Sequence, residues 1–218
     1  MFNEQPNMFS DQRQNVTKQL DDGIRVLQGQ VHKRKKDLHF CHTSCNFLDA
    51  GPIADYFSDV ADWVNLHPND VVSIILVNFE NVSPSSYVDS LEASGLSSLA
   101  YVPPKYPMAL GDWPTLGEMI DSDSEAAEIM YVANHNLNAL VKVPYSSEPI
   151  LFPSWPDLSD TNALEGFGSL GTAVTTCIEL WQRPPNFLLV DFYDVGSGSV
   201  FEVAAMANNV TYYGSCSD

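Results

Sequence analysis

The sequence predicts an α/β chain built on a parallel sheet, and three observations carry that prediction. The run VVSIILVN at 71–78 is apolar and β-branched without alternation, which suits a strand buried on both faces. Ile53, Tyr56, Phe57, Val60 and Val64 recur at helical spacing just before it. Strand-like and helix-like stretches then alternate to the C-terminus, the pattern of a parallel sheet with crossover helices.

In chain order, 15–22 reads as a short helix start, with Thr17 as cap and Leu20 packing on the next strand. Residues 24–31 and 38–41 are the first two strands, joined by the basic loop Lys33-Arg34-Lys35-Lys36; 48–51 turns out of the second. Residues 52–66 form an amphipathic helix, broken by Pro68-Asn69-Asp70. The strand 71–77 follows, then a helix at 84–94 closed by Gly95. Pro103, Pro104 and Pro107 make 96–113 a loop, and Thr115 with Glu118 marks a short capped helix at 115–121. A strand at 130–133 ends in Asn134-His135-Asn136, and 144–160 is a proline-rich loop. Residues 162–181 are largely helical, 187–193 (FLLVDFY) are another buried strand, and a Gly/Ser turn leads to a helix at 200–207.

A chain of 218 residues with 44% hydrophobic content is globular and the size of one domain. Its net charge of −18 is uneven: seven of ten basic residues lie in 13–36, and after Lys36 three remain against 24 acidic ones. That excludes a nucleic-acid groove, which needs spread phosphate-neutralising charge, and argues against electrostatic adhesion to anionic membranes. The N-terminus is polar without an apolar centre, so no signal peptide is expected in this chain; the longest apolar run, 71–77, is too short for a transmembrane segment. Cys41, Cys45, Cys177 and Cys216 lack a second ligand pair at zinc spacing, so a disulfide is expected, with its pairing open. Three acceptor sequons begin at Asn15, Asn81 and Asn209, with Pro84 following the second.

The residues that titrate or coordinate gather in 23–49. Gln28, Gln30 and His32 alternate, so they share one side of a strand. His42 stands at the end of the next strand, flanked by Cys41, Thr43 and Cys45, while His39 faces away from it. A histidine past a strand's C-terminal end is where barrel enzymes keep acid/base groups; it is also a common place for a packed histidine. Asp191, at the end of FLLVDFYD, either orients a histidine or caps strand-end backbone. His135 ends a strand in the same way.

LDDGIRVLQGQVH followed by LHFCHTSCNFLDAG resembles the second and third strand region of the phosphatidylinositol-specific phospholipase C X-domain group, more narrowly the secreted fungal phospholipase C-like phosphodiesterases. VADWVNLHPNDVVSIILVN, AYVPPKYPMALGDWPTLGEMI, NALEGFGSLGT and RPPNFLLVDFYDVGSGSVFEVAAMANNVTY follow in the family's order. The likeness covers most of 15–213, leaving 1–14 as a polar N-terminus outside it and 15–218 as a partial X-domain-like domain. It implies a TIM-type (β/α) barrel. Eight strands close such a barrel and five are counted here. No strand precedes residue 15, and DSDSEAAEI at 121–129 is too short for the strand–helix unit the family carries there. The expectation is an incomplete barrel with exposed strand edges.

The resemblance also implies a chemistry: cleavage of a phosphodiester, a phospholipid headgroup or a small molecule, by paired histidines. One deprotonates an attacking hydroxyl and the other protonates the leaving oxygen. His42, in CHTS, matches the general acid. The family's other histidine lies upstream of the first strand, and no histidine precedes His32, so His32 is the candidate substitute base. Gln28, Gln30 and His135 are the candidate substrate contacts. Calcium-dependent relatives carry Glu and Asp where Gln28 and Gln30 stand, so no metal or other cofactor is expected. The alternative is a relative that binds a headgroup or surface ligand without turnover. The family resembled is usually exported, which sets an extracellular expectation against the missing leader. Oligomeric state is not legible.

Overall fold

The computed structural model describes residues 10–101, 132–142, 150–196 and 199–214. The helix expected at 115–121, the short stretch 121–129, residues 130–131 of the expected strand, residues 102–113 and 144–149 of the two proline-rich loops, and Cys216 lie outside the described residues. The fold is mixed α/β. The chain divides into two compact units, Met1–Pro103 with Val141–Phe152, and Pro104–Leu140 with Pro153–Asp218.

In the first unit, helix α1 (Val16–Asp21) leads to strand β1 (Val26–Arg34). The cap of α1 is Asn15 rather than Thr17: its Oδ1 accepts the Lys18 N–H at 2.8 Å. Strands β2 (Asp37–His42) and β3 (Leu48–Pro52) follow, then helix α2 (Ile53–Leu66), strand β4 (Ser73–Asn78) and helix α3 (Val88–Ala93). The four strands form one sheet in the order β3-β2-β1-β4.

The sheet is not the all-parallel one expected. Lys33 and Arg34 belong to β1, leaving a turn of two residues, Lys35-Lys36, between Arg34 and its cross-strand partner Asp37. Two residues can join only antiparallel neighbours, and Lys35 takes the left-handed conformation (φ 58°) that such a turn needs. β3 pairs antiparallel with β2, with an irregularity between Phe40 and Cys41. The chain then crosses through α2, and β4 lies parallel to β1 from Val26↔Ser73 to Val31↔Asn78.

α2 follows its helical spacing and buries Ile53, Phe57, Val60, Ala61 and Trp63. One cluster joins Val31 and Phe40 of the sheet to Ile53, Phe57 and Tyr87. A second joins Val16, Leu20 and Leu27 to Val60 and Trp63. Arg25 ties the base of the sheet to the loop after α2 through Asp70, at 2.8–2.9 Å, and lies 4.7 Å over the Trp63 ring.

In the second unit, β5 (Val132–His135) lies parallel to the later strand Phe187–Val190. Strands β6 (Asn138–Val141) and β7 (Ile150–Pro153), the second in a stretch read as loop from its prolines, each include residues of both units. Helices α4 (Leu158–Thr161) and α5 (Leu170–Trp181) precede that later strand, β8 (Phe187–Val190), and α6 (Ser199–Ala207) follows it. Leu170 and Val174 of α5 pack on Val200 and Val203 of α6. β8 stops at Val190, not Tyr193: Phe192 turns left-handed (φ 48°), and buried Asn162 donates to the Asp191 and Phe192 carbonyls at 3.0 and 3.1 Å. No closed barrel is formed by the described strands.

Candidate functional site

The candidate residues fall in both units. Gln28, Gln30, His32 and His42 belong to the first, His135 and Asp191 to the second.

Alternation along β1 puts Gln28, Gln30, His32 and Arg34 on one face, and the register sets His32 opposite His39. His39 Nδ1 lies 2.8 Å from Asp49 Oδ1, Arg34 pairs with the other Asp49 oxygen, and the Gly51 N–H donates to Asp49 at 2.9 Å. This network ties β1, β2 and β3 together and accounts for His39. His32 is 5% exposed; its Nδ1 stands 3.4 Å from Glu80 Oε1, its ring stacks on Phe79 at 4.5 Å, and its Nε2 has no partner.

His42 is three residues further along β2 than His39. At about 3.3 Å per residue that is roughly 10 Å along the strand, with the irregularity between Phe40 and Cys41 in between. His42 Nε2 lies 3.3 Å from Asp11 Oδ1, on the leg that precedes α1. Burial pushes the Asp11 carboxyl up from 3.8 to about 7, although 43% of its side chain stays exposed. Reading 1–14 as a polar tail gave no signal for Asp11, and nothing local in the sequence marks Glu80 as the neighbour of His32.

The chain leaves β2 sharply. Cys41 and Cys45 are joined in a disulfide, which excludes them as zinc ligands. Inside that loop Thr43 has φ 60°, and the Ser44 N–H donates back to the His42 carbonyl at 2.6 Å. An i→i+2 bond around a positive φ is a γ-turn, and a β-branched residue there is strained by about 1–3 kcal/mol. The Thr43 N–H donates to Gln30 Oε1 at 3.3 Å.

In the second unit, His135 and Val190 are register partners in a parallel pair, so His135 and Asp191 stand at the same, C-terminal end of adjacent strands. His135 is the last residue of β5, and Asp191 directly follows β8. His135 Nε2 meets the Gly168 carbonyl at 3.2 Å, and the Asp191 backbone is pinned by Asn162.

The family model described as PI-PLC X 1 matches residues 4–125 and 121–208, two segments that meet in the stretch 121–129. The chain is 37% identical over 262 positions to an "Uncharacterized secreted protein" of Arthroderma benhamiae, covering 96% of this chain and 59% of that protein. It is 31% identical over 241 positions to the PI-PLC X domain-containing protein 1 of the same fungus, covering 88% and 77%. A PI-PLC X domain-containing protein of Arabidopsis thaliana is 24% identical over 239 positions, with 92% and 56% covered. The chain thus spans between about half and three quarters of the length of these relatives. No solved structure matches the chain. A family model matched over 4–125 and 121–208, with a relative 31% identical over 88% of the chain, establishes the kinship: the chain belongs to the PI-PLC X family.

Proposed function

We propose that this chain is an exported, phospholipase C-like phosphodiesterase in which His42 is the general acid. The observation that carries the reading is the setting of His42: an imidazole at the end of β2, 17% exposed, with a carboxyl at 3.3 Å on one ring nitrogen and a constrained turn after it. Cleavage of this type moves two protons. One passes from the attacking hydroxyl to solvent water as the new P–O bond forms, and the other must reach the leaving oxygen as the old P–O bond breaks. An imidazolium supplies the second at near-neutral pH. His32, the candidate base, is packed against Phe79 and offset from His42, so we assign it to packing and rest the proposal on His42. The substrate class follows from kinship: a phosphodiester with a polyol headgroup, lipid-linked or soluble.

The reading has no calcium in it. Gln28 and Gln30 are neutral, Gln30 Oε1 already accepts an N–H, and Asp49 and Glu80 are engaged by Arg34, His39 and His32. Among the described residues no three acidic, His or Cys side chains are grouped to hold a metal ion. A hard divalent cation prefers several anionic oxygens, which this arrangement does not offer. We further propose that the parallel pairs β1/β4 and β5/β8 are pieces of a (β/α) barrel wall.

The test is release of water-soluble phosphate ester from phosphatidylinositol vesicles and from glycerophosphoinositol, followed by ³¹P NMR with and without a calcium chelator. Wild-type protein should form product in both conditions, and His42→Ala should slow it by about 10²–10⁴-fold. Wild-type protein that binds these substrates without product, or a His42→Ala variant as fast as wild type, would overturn the assignment.

A further inference from the structure

We infer that the Cys41–Cys45 disulfide and Gln30 are positioning devices for His42, clamping the strained turn that aims its imidazole. The inference rests on the reading of His42 as the general acid, and its test is built to separate the two.

Three observations meet at the turn. The first is conformational. Thr43 holds a left-handed φ of 60°, and the Ser44 N–H bonds back to the His42 carbonyl. A β-branched residue does not adopt this geometry by preference, so its surroundings must enforce it. The second is covalent. The bridge joins residues four apart, with α-carbons 4.9 Å from each other, and encloses only His42, Thr43 and Ser44. In the chain-entropy account, cross-links stabilise a fold through the unfolded chain they restrict, and a loop this short restricts little of it. Its effect is therefore local. The third is the hydrogen bond from the Thr43 N–H to Gln30 Oε1, which ties the turn to the neighbouring strand at a residue two away from buried His32. Gln30 thereby acts as an acceptor for the turn, not as a contact for substrate or metal.

The consequence is a fixed exit from β2. His42 is the last residue of the strand and the first of the turn, so its Cα–Cβ direction is set by both. With that direction fixed, Nε2 is held beside Asp11. With the bridge open or the Gln30 acceptor gone, Thr43 relaxes to a negative φ and the imidazole swings away. Opening the bridge with a phosphine reductant adds two electrons and two protons and leaves two thiols.

Full-length protein labelled with ¹⁵N-histidine is compared as wild type, after phosphine reduction, as Cys41→Ser/Cys45→Ser, as Gln30→Ala and as Gln30→Glu. The first readout is the pair of His42 ring ¹⁵N signals, assigned with His42→Ala, and needs no turnover. Wild type should show one sharp pair. Reduction, the double serine variant and Gln30→Ala should broaden or split it, while Gln30→Glu, which keeps an acceptor, restores the wild-type pair. The second readout is vesicle hydrolysis: kcat should fall at least tenfold with KM within twofold for the first three, with rescue by Gln30→Glu. An unchanged pair of His42 signals in a folded, bridge-free protein and in Gln30→Ala overturns the inference, whatever the rates. Should the reduced chain unfold, Gln30→Ala with the bridge intact decides it by the same criterion. A wild type without turnover but with the expected signal changes removes the acid role of His42 and leaves the clamp standing.

Discussion

Replacing Gly29 with alanine should destabilise the sheet without altering a single charge. Gly29 lies in β1 between Gln28 and Gln30, and the Phe40 ring of β2 covers its α-carbon. An added Cβ would stand 2.4 Å from Phe40 Cε1 and 2.5 Å from Cδ1, whereas carbon atoms pack at about 3.5–4.0 Å. The ring must back off by roughly 1 Å or more to regain that spacing. It has little room: Phe40 is 6% exposed, edge-on to Tyr56 at 4.8 Å and to Phe57 at 6.1 Å. Overpacking of this kind costs about 1–3 kcal/mol. Alanine recovers roughly 0.5–1 kcal/mol, because glycine loses the most backbone freedom on folding. The net loss is about 1–2 kcal/mol, and the melting temperature should fall by roughly 2–8 °C. Thermal and urea unfolding followed by circular dichroism read it directly. A double-mutant cycle locates the clash: in the Phe40→Leu background the Gly29→Ala penalty should shrink by about 1 kcal/mol or more. A Gly29→Ala protein as stable as wild type, or a penalty indifferent to Phe40→Leu, would refute the account of Phe40 as an immovable lid.

Three other outcomes follow from the same geometry. His32→Phe removes a buried nitrogen that has no partner, keeps a ring against Phe79, and returns the half-exposed Glu80 to water; stability should be unchanged or raised by about 1–2 kcal/mol, with vesicle hydrolysis intact. A folded His32→Phe protein that has lost turnover would make His32 catalytic after all. Asp11 has its folded pKa raised from 3.8 to about 7, so the stability tied to its protonated form is present below about pH 4 and lost as the pH rises to 7. Because 43% of the side chain is exposed, the effect is discounted to about 1 kcal/mol. Asp11→Asn should match wild type at pH 4 and exceed it by that amount at pH 8, and a gap that does not change with pH would contradict the burial argument. Of the three sequons, that of Asn209 is exposed on the left-handed turn after α6, while Asn15 caps α1 and Asn81 is followed by Pro84. Exported from a fungal host, the protein should lose glycan mass on endoglycosidase treatment, and Asn209→Gln should abolish that loss.

The parts of the fold that were legible are those in which one periodicity runs long enough to dominate. The repeat of Ile53, Phe57, Val60 and Val64 gave α2, and the unbroken apolar run gave β4. What escaped was written in other terms. A two-residue hairpin is usually signalled by Asn-Gly or Asp-Gly, and here the turn is Lys35-Lys36, so the first two strands read as separate parallel elements. β3 is LDAGP, whose glycine and proline read as a turn, and it is held in the sheet by pairing with β2 rather than by its own composition. The strand 187–193 was overextended because Phe192 and Tyr193 are buried and apolar; Asn162, thirty residues earlier, is what bends the chain there.

The candidate site divides along the same line. Strand ends follow from local order only to within a few residues: His42 and His135 are the last residues of β2 and β5, and Asp191 follows β8 directly. The partners that decide what a histidine can do are set by long-range contact. His32 and His39 are both strand histidines beside a carboxylate, yet neither Glu80 nor Asp49 is marked by spacing. His42 differs from them in the turn that follows it: a left-handed threonine inside a short covalent loop, held by an amide from the next strand. Strain of about 1–3 kcal/mol is retained only where the surroundings over-determine it, and packing alone gives no reason to retain it at the end of β2. The turn therefore separates His42 from the other histidines of the sheet more sharply than burial does, and it makes His42 the residue on which the proposed chemistry stands or falls.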